Sequence, residues 1–312
     1  MTDSIFYTAM PLQRQAPPNC GESWFEKKIH EKNTRIAPLW RNRNLILPGD
    51  DPTSVSITGN HARGLLQIAG ERIFLGLEPE KETGEHIAHF AIDLSNHELP
   101  TLSPFLGRAE FIDLRQVGPA LPHHEGALLA LARGALYWHR HNQYCSNCGS
   151  ETHAEKGGRL RKCRNLSCER EHFPRTDPAV IMLVTRPGPE GGACLLGRHE
   201  NLPQGIYSTL AGFVDQGESL EEAVAREVKE EAGIDVTDIQ YRGSQPWPFP
   251  SSLMMGFRAR AINVNIDLGH DELEDAGWYT RDQIRNFPAT GKRLPRVDSI
   301  AHTLVREWME EG

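Results

Sequence analysis

The sequence predicts an α/β (α+β) protein in three parts, and three observations support this fold class. From residue 175 onward, candidate strands alternate with candidate helices, which is typical of a layered α/β domain. Four cysteines cluster between residues 141 and 174, and residues 1–140 contain strand candidates followed by one helix. We therefore expect a small α+β domain over 1–140, a cysteine ribbon over 141–174 and an α/β domain over 175–312.

Length and charge limit the possible functions. A chain of 312 residues with a hydrophobic fraction of 38% can form about two domains with sizeable cores. The formal net charge of −8 argues against charge-driven binding of nucleic acid, and it means that a phosphate substrate would need bridging metal ions. The N-terminal residues carry no basic stretch followed by an apolar run, and every apolar run is too short to span a membrane. We expect a cytoplasmic protein without membrane contact.

The N-terminal domain is expected to be irregular up to about residue 60, where periodic signals are few and prolines are frequent. Segment 64–78 predicts two short strands around its central Ala-Gly-Glu, and segments 87–94 and 109–114 predict further strands. Apolar residues at helical spacing predict a helix over 124–141. Arg115 lies between these elements, and by itself it is interpreted as a surface or structural arginine.

The four clustered cysteines are Cys145, Cys148, Cys163 and Cys168, with two, 14 and four residues between them. Without a secretory signal, this spacing predicts a metal site rather than two disulfides. Four thiolates close a tetrahedral zinc site, so one structural Zn²⁺ per subunit is expected, although His153 or His172 could substitute as a ligand. The basic residues of this ribbon allow two interpretations: a solvated surface, which we favour, or contact with a long phosphate ligand or an RNA end.

In the C-terminal domain, strands are expected over 179–184, 193–198, 239–244 and 252–262, with a turn at 187–192 and a last helix near 296–310. Between them, segment 212–234 predicts a short helix with defined ends. Ser219 and Glu222 form a capping box at its start, and Gly233 is placed to end it.

The acidic residues of this helix lie in unusual positions. Leu220, Ala223, Val224 and Val228 define an apolar stripe at 3.6 residues per turn. Glu227 and Glu231 fall inside the stripe, and Glu230 lies at its edge. Carboxylates directed at a core are costly unless they are paired or hold a metal ion. The alternative, an acidic amphipathic helix with solvated charges, does not explain these inward positions.

The same stretch resembles the Nudix box of pyrophosphohydrolases: Gly212, Glu218 and the run 226–234 match its fixed positions. The resemblance implies an α/β/α sandwich with a mixed sheet and a hydrolase that depends on Mg²⁺ or Mn²⁺. It implies Glu227 and Glu231 as metal ligands, with the carbonyl of Ala211 as a further ligand. Of Glu227, Glu230 and Glu231, or another glutamate nearby, one would act as general base. Arg226 would orient Glu230 or Glu218, and Glu218 would hold the loop or bind a further metal ion.

A second motif, 244–252, reads SQPWPFPSS. Its alternating prolines predict a rigid extended segment, and Trp247 and Phe249 suit the stacking of a heterocycle. A purely structural proline-rich loop is the alternative. The motif looks like the signature of the NADH pyrophosphatase (NudC-type) branch of the family, as does a four-cysteine ribbon before the Nudix domain.

That resemblance implies further site residues. The proposed dinucleotide site is lined by Gln245, Pro246, Trp247, Pro248, Phe249, Pro250, Ser251 and Ser252. Glu272 matches a late acidic metal ligand, although its acidic run would otherwise pass as a solvated loop. Phe213 would stack on the nicotinamide, and Phe173, Ala301 and Arg115 would be further substrate contacts. Gly158 stands where some relatives place an acidic contact, so that contact is missing here.

The branch implies hydrolysis of NADH, and more weakly NAD⁺, to reduced nicotinamide mononucleotide (NMN for NAD⁺) and AMP. It also implies a homodimer and, as a second activity, removal of NAD caps from RNA 5′ ends. Two alternatives stay open: a Nudix hydrolase preferring ADP-ribose or another nucleoside diphosphate derivative, and a zinc-ribbon RNA-binding protein with an inactive Nudix fold. The complete set of acidic residues argues against the second.

Overall fold

The computed structural model describes residues 5–18, 20–79, 86–268 and 273–311, and within them the chain forms two compact units. The C-terminal unit contains residues 5–6, 177–247 and the described residues from 252 onward. The N-terminal unit contains residues 7–176 together with Pro248–Ser251. The N-terminal unit contains a seven-stranded and a three-stranded sheet, the C-terminal unit contains a six-stranded sheet, and the two units have separate cores.

The N-terminal unit is built on a seven-stranded sheet of order β3-β2-β1-β6-β5, with β4 paired to β1 and β7 paired to β2. Strands β1 and β6 are parallel. The helices and strands in chain order are α1 Glu22–Lys28, β1 Arg35–Trp40, β2 Arg43–Leu47, β3 Thr53–Ser54, β4 Ile57–Thr58, α2 Arg63–Ile68, β5 Arg72–Pro79, β6 His86–Asp93, α3 Leu99–Leu102, β7 Glu110–Ile112, α4 Leu114–Val117 and α5 His123–His141.

Two predictions for this unit are wrong. Residues 1–60 were expected to be irregular, yet they contain α1 and four strands. Strand β1 is buried at five consecutive positions, so it lacks the polar–apolar alternation that reveals a half-exposed strand. The first half of segment 64–78 is helix α2 rather than a strand. Leu65 and Leu66 are both buried in one core cluster, and two adjacent apolar residues suit a helix as well as a strand that is covered on both faces. The predicted strand at 87–94 and the helix at 124–141 are confirmed. The strand predicted at 109–114 is present only as Glu110–Ile112, because Asp113 caps helix α4 and Leu114 begins it.

The cysteine ribbon forms a small three-stranded sheet of order β10-β9-β8 within the N-terminal unit. Its strands are β8 Thr152–Glu155, β9 Leu160–Cys163 and β10 Glu171–His172. The cysteines lie at the turns that precede or follow these strands, or at their ends, so the short sheet brings distant parts of the segment together.

The C-terminal unit is an α/β/α sandwich, as the resemblance implies. Its six-stranded sheet has the order β14-β15-β11-β12-β16, with β13 paired to β11. The sheet is mixed because β11 and β15 are parallel whereas the other pairs are antiparallel. Its elements are β11 Asp177–Arg186, β12 Ala193–His199, β13 Leu210–Phe213, α6 Leu220–Ala232, β14 Val236–Trp247, β15 Ser252–Ala261, β16 Leu273–Thr280, α7 Arg281–Arg285 and α8 Ile300–Glu310.

The two outer layers are α6 and α8, and each packs on its own core. Val224 and Val228 of α6 belong to one cluster of buried residues, and Leu304 and Val305 of α8 belong to another. Strand alternation in β12 sends Leu195 to the first core and its neighbours to the second. None of the described helices is long and apolar enough to cross a membrane.

Two element boundaries differ from the predictions. Segment 273–280, part of an acidic run that would pass as a solvated loop, is edge strand β16, paired to β12 from Ala193 to His199. The pairing with β12 overrides the polar composition. Helix α8 begins at Ile300, several residues later than expected, because Ser299 caps it by accepting a hydrogen bond from the His302 amide at 3.3 Å.

Candidate functional site

Helix α6 has the ends that the sequence predicts. The Ser219 hydroxyl accepts a hydrogen bond from the Glu222 amide at 3.2 Å, and the Glu222 carboxylate accepts one from the Ser219 amide at 2.7 Å. Gly233 ends the helix in the left-handed region, with φ of +69°. Because both ends are fixed, the rotation of the helix on the sheet decides which acidic residues face the core.

Two glutamates of α6 are directed inward. Glu227 is 9% exposed and Glu231 is 4% exposed, whereas the side chain of Glu230 is 59% exposed. The predicted separation of two inward carboxylates from a third at the edge is therefore present. All three project from one side of the helix, since positions i, i+3 and i+4 share a face.

Glu227 lies against strand β13 at Gly212. A Cβ built on Gly212 would overlap the carboxylate carbon of Glu227 and both of its oxygens. Gly212 pairs with Val180 of the central strand β11, and the half-buried Ala211 beside it pairs with Ile181. The glycine is required here because the carboxylate occupies the space that any side chain would fill.

Glu231 lies near a histidine that sequence reasoning missed. The Nε2 atom of His199 is 3.9 Å from a carboxylate oxygen of Glu231. His199 is the last residue of β12 and pairs with Leu273, the first residue of β16. The only sequence signal for His199 is a polar residue directly after an apolar strand. Glu272, the predicted late metal ligand, lies outside the described residues.

Arg226 organises the acidic residues around α6. Its guanidinium donates to Glu218 at 2.6 and 2.9 Å, to Glu227 at 2.9 Å, to Glu230 at 2.9 Å and to the carbonyl of Phe213 at 2.8 Å. The hydrogen bonds from Arg226 lower the pKa of Glu218, and the hydrogen bond to Glu218 is the main cause of the raised pKa of Arg226. Both groups therefore stay charged at neutral pH.

This arrangement suits a hard divalent cation. Glu227 and Glu231 offer buried carboxylate oxygens, which are the ligands that Mg²⁺ and Mn²⁺ prefer. The space left by the missing side chain of Gly212 holds the carboxylate of Glu227 against the backbone of β13. Ala211, whose carbonyl is the further predicted ligand, is the preceding residue of the same strand. The residues present therefore fit the divalent metal ion that the resemblance implies.

The residues of the proline-aromatic motif, 244–252, belong to both units and differ in exposure. In the C-terminal unit, Gln245 is 1% exposed, Pro246 is exposed, and Trp247 and Ser252 are half-buried. In the N-terminal unit, Pro248 is buried, Phe249 and Ser251 are half-buried, and Pro250 is exposed.

Arg133 of α5 contacts the Pro248–Phe249 segment. The sequence gives no signal for this role, because Arg133 lies among apolar residues whose spacing predicts only a helix packed on the core. Its Nε donates to the Pro248 carbonyl at 2.8 Å, and its guanidinium lies 4.8 Å from the Phe249 ring centroid. Arg115 is on the same ring at 5.7 Å, and its guanidinium donates to Asp113 at 3.0 and 3.1 Å. Arg115 thus touches the motif that the resemblance groups it with.

The remaining predicted substrate contacts differ in exposure. Phe213 is 60% exposed and Phe173 is 57% exposed, so both rings are accessible. Ala301 is 3% exposed in the core beneath α8, which is the environment that its helical spacing indicates.

The four ribbon cysteines gather as predicted. Their sulfur atoms all lie within 4.8 Å of one another, with Cys145–Cys168 at 3.8 Å and Cys148–Cys163 at 3.5 Å. A tetrahedral zinc site with Zn–S bonds of about 2.3 Å places sulfurs about 3.8 Å apart, so the four thiols fit zinc. They form the only group of three or more metal-ligating side chains this compact in the part of the chain that the structure describes.

Hydrogen bonds prepare the cysteine cluster for a metal ion. Hydrogen bonds with Ser150 lower the pKa of Cys148 to about 6, whereas burial raises the pKa of its neighbour Cys163 to about 12. Cys148 is therefore the thiol of this pair that ionises first, and a bound metal ion would favour the thiolate form of both. The side-chain amides of Asn147 and Asn165 lie 3.5 and 3.9 Å from ligand sulfurs. His172 Nε2 lies 3.3 Å from the sulfur of Cys145, where it supports a cysteine ligand instead of replacing one.

Two family models match this chain, and one of them covers the residues that form the acidic site. The model of the NUDIX domain matches residues 175–298, which include α6, Gly212 and both inward glutamates. A second model, described as the NADH pyrophosphatase-like rudimentary NUDIX domain, matches residues 33–138. The chain belongs to the Nudix family, in the NudC-type branch that carries both domains.

Three relatives illustrate the branch. The chain is 34% identical over 264 residues to the mitochondrial NAD(P)H pyrophosphatase NUDT13 of Homo sapiens, covering 77% of this chain and 72% of that protein. It is 41% identical over 199 residues to the NAD-capped RNA hydrolase NUDT12 of Homo sapiens, covering 61% and 43%. It is 45% identical over 162 residues to the NAD-capped RNA hydrolase NudC of Pseudomonas aeruginosa, covering 52% and 56%. The chain thus spans less than two thirds of NUDT12 and of NudC.

Proposed function

We propose that this protein is a metal-dependent hydrolase that splits the pyrophosphate of NADH into reduced nicotinamide mononucleotide and AMP, with NAD⁺ as a weaker substrate. The observation that carries the proposal is the burial of Glu227 and Glu231 on one face of α6, with Gly212 leaving room for the first carboxylate. The name of the relative NUDT13, an NAD(P)H pyrophosphatase, supports the substrate class.

The proposed chemistry needs an activated water and charge neutralisation on a pyrophosphate, and a bound Mg²⁺ or Mn²⁺ supplies both. Glu227, Glu231 and the Ala211 carbonyl would hold this ion, with Glu272 as a further ligand. Glu230 is the exposed carboxylate of the cluster and would take the proton of the attacking water as general base. Arg226 keeps Glu227 and Glu230 in place through its hydrogen bonds to both.

We propose that accessible aromatic side chains recognise the dinucleotide. Phe213 lies one residue from Gly212 and is accessible, which suits stacking on the nicotinamide beside the metal ligands. Phe173 and Trp247 are the other aromatic side chains that would contact the dinucleotide. Arg133 and Arg115 hold the Phe249 ring, so we propose that the 248–251 segment acts as a preformed surface.

A second activity, removal of NAD caps from RNA 5′ ends, is favoured by the similarity to NUDT12 and NudC, both NAD-capped RNA hydrolases. The bond cleaved would be the same pyrophosphate, so the same glutamates would serve both substrates. We propose no separate site for this activity.

The deciding experiment is a substrate panel with Mg²⁺ or Mn²⁺, comparing NADH, NAD⁺, ADP-ribose, dinucleoside polyphosphates and NAD-capped RNA by kcat/KM. NADH or NAD-capped RNA should be preferred, with AMP or 5′-monophosphate RNA as product. Preference for ADP-ribose would replace the proposed substrate. Absence of turnover with every substrate, combined with RNA binding, would support an inactive Nudix fold.

The ribbon ion, the assembly and the location complete the proposal. We propose one structural Zn²⁺ per subunit, a homodimer and a cytoplasmic protein. Four free thiols gathered without a disulfide support a reducing compartment. Metal analysis by mass spectrometry should find zinc at one ion per chain, and light scattering should give twice the 35.0 kDa of one chain.

A further inference from the structure

Gln245 is buried in strand β14, at one edge of the sheet of the C-terminal unit, and its side-chain amide already has backbone partners. Its Nε2 donates to the carbonyls of Phe6 at 3.1 Å and Asp298 at 2.8 Å. Its Oε1 accepts from the amide of Ile300 at 2.8 Å. An amide side chain has two N–H donors and one carbonyl acceptor, and here each of them has a backbone partner. With an exposure of 1%, the side chain presents no surface to a dinucleotide.

The three partners of Gln245 come from distant parts of the chain. Phe6 belongs to the N-terminal segment, and its neighbour Ile5 is 6% exposed in the core beneath α8. Asp298 and Ile300 bracket the start of α8. The amide of Ile300 is one of the first amides of the helix, which have no partner inside it. Gln245 therefore satisfies a helix-end donor and two carbonyls at a single junction.

The same junction leaves little room for movement. A Cβ built on Gly243 would lie 2.9 Å from the Ile5 side chain, and one built on Gly256 would lie 2.8 Å from the Ile300 side chain. The side chain of Asp298 is fully buried, and Arg296 donates to it at 2.9 Å. Strand β14, the N-terminal segment and the start of α8 thus meet in close contact at Gln245.

We infer that Gln245 is a positioning residue rather than a substrate contact, and that it fixes the start of α8 and the N-terminal segment against strand β14. The structural role of Gln245 does not depend on the proposed function. Its consequence for catalysis does: Pro246 and Trp247, directly after Gln245, would keep one fixed orientation toward the dinucleotide. Recognition would then depend on the exposed members of the motif.

The pH dependence of Gln245→Glu tests the inference without an activity assay. A carboxylate at this position would face two carbonyls in a buried site near Asp298, whose own carboxylate is paired with Arg296, so burial would raise the pKa of the introduced group on folding. A raised folded pKa means that stability is retained below the unfolded pKa, about 4.3, and is lost as pH rises through the folded value. The protonated acid can still donate to one carbonyl and accept from Ile300.

The melting temperature of Gln245→Glu, relative to wild type, should therefore fall between pH 5 and pH 8, by about 5 °C or more. Gln240→Glu is the matched control, because Gln240 is exposed on the same strand and should show almost no such change. If Gln245→Glu keeps the wild-type melting temperature at pH 8, the buried junction does not depend on Gln245 and the inference is overturned.

Kinetics supply the second arm, with Gln245→Leu at a temperature where the variant is folded. A positioning role predicts a KM for NADH raised about fivefold with kcat within about twofold, because the α6 glutamates are untouched. Removal of residues 1–6, which deletes the Phe6 carbonyl, should raise KM too, and the two changes together should be less than additive. Full additivity would contradict the shared junction. Wild-type protein inactive on NADH would instead refute the proposed function and leave the pH test intact.

Discussion

The carboxylate of Glu227 occupies the space where a side chain on Gly212 would lie. A Cβ at Gly212 would overlap the carboxylate carbon and both oxygens of Glu227. The residue that opens the family motif thus serves a residue 15 positions later, on the helix that packs against its strand. The relationship explains why a glycine stands in β13 without needing a left-handed backbone at this position.

Gly212→Ala should lower kcat by about 10²-fold, because a displacement of about 1 Å at a reacting centre has an effect of that size. The methyl group must displace the carboxylate of Glu227 from β13. Gly49→Ala is the control, since a Cβ at Gly49 meets nothing within 4 Å. Steady-state kinetics of both variants with NADH would measure the effect. Wild-type turnover in Gly212→Ala would show that the position of Glu227 does not depend on the space at Gly212.

Glu231→Gln should lower kcat by about 10³-fold or more while leaving the fold intact. The amide keeps the size of the buried side chain but removes the charge that would hold a divalent cation, which contributes several kcal/mol of charge stabilisation. The matched control is Glu221→Gln, an exposed position on the same helix. Circular dichroism with kinetics at varied Mg²⁺ would check this, and near-normal activity would exclude Glu231 from the mechanism.

Arg226→Met should reduce both stability and turnover, with a defined pH dependence. Hydrogen bonds from Arg226 lower the pKa of Glu218, so their stabilising effect is present above the unfolded pKa and is lost as pH falls through the folded value. The stability difference between wild type and variant should therefore be larger at pH 7 than at pH 3.5. Urea unfolding at both pH values measures it. A difference that grows toward acid pH would contradict this ion pair.

Removal of zinc should lower the melting temperature by about 10 °C or more, since a structural zinc contributes directly to folding. The cysteine cluster belongs to the N-terminal unit, whereas the α6 glutamates belong to the C-terminal unit. Zinc-free protein should therefore regain most of kcat when saturating Mg²⁺ is added back at low temperature. Cys148→Ser should reproduce the loss of stability, whereas Cys194→Ser provides a control for a buried cysteine outside the cluster. Zinc-free protein with unchanged thermal stability would show that the ribbon ion is not structural.

Local patterns predicted the parts of the protein whose structure is set by nearby residues. The capping box of α6, its C-terminal glycine and the inward placement of Glu227 and Glu231 follow from helical periodicity alone. The cysteine cluster follows from spacing. Strand β1 could not be predicted in this way, because it is buried on consecutive positions, and α2 was misread because two adjacent leucines suit either type of element.

The sequence by itself determined the fold class, the acidic helix and the cysteine cluster, because periodicity, capping and spacing are encoded within a few turns of chain. Tertiary structure alone decided that Glu227 fits against Gly212, that His199 lies near Glu231 and that Gln245 bonds to Phe6, Asp298 and Ile300. These contacts join residues that no periodicity relates. Only the packing of strands and helices around the two cores of the C-terminal unit brings them together, and that packing also separates the buried Gln245 from the exposed members of its own motif.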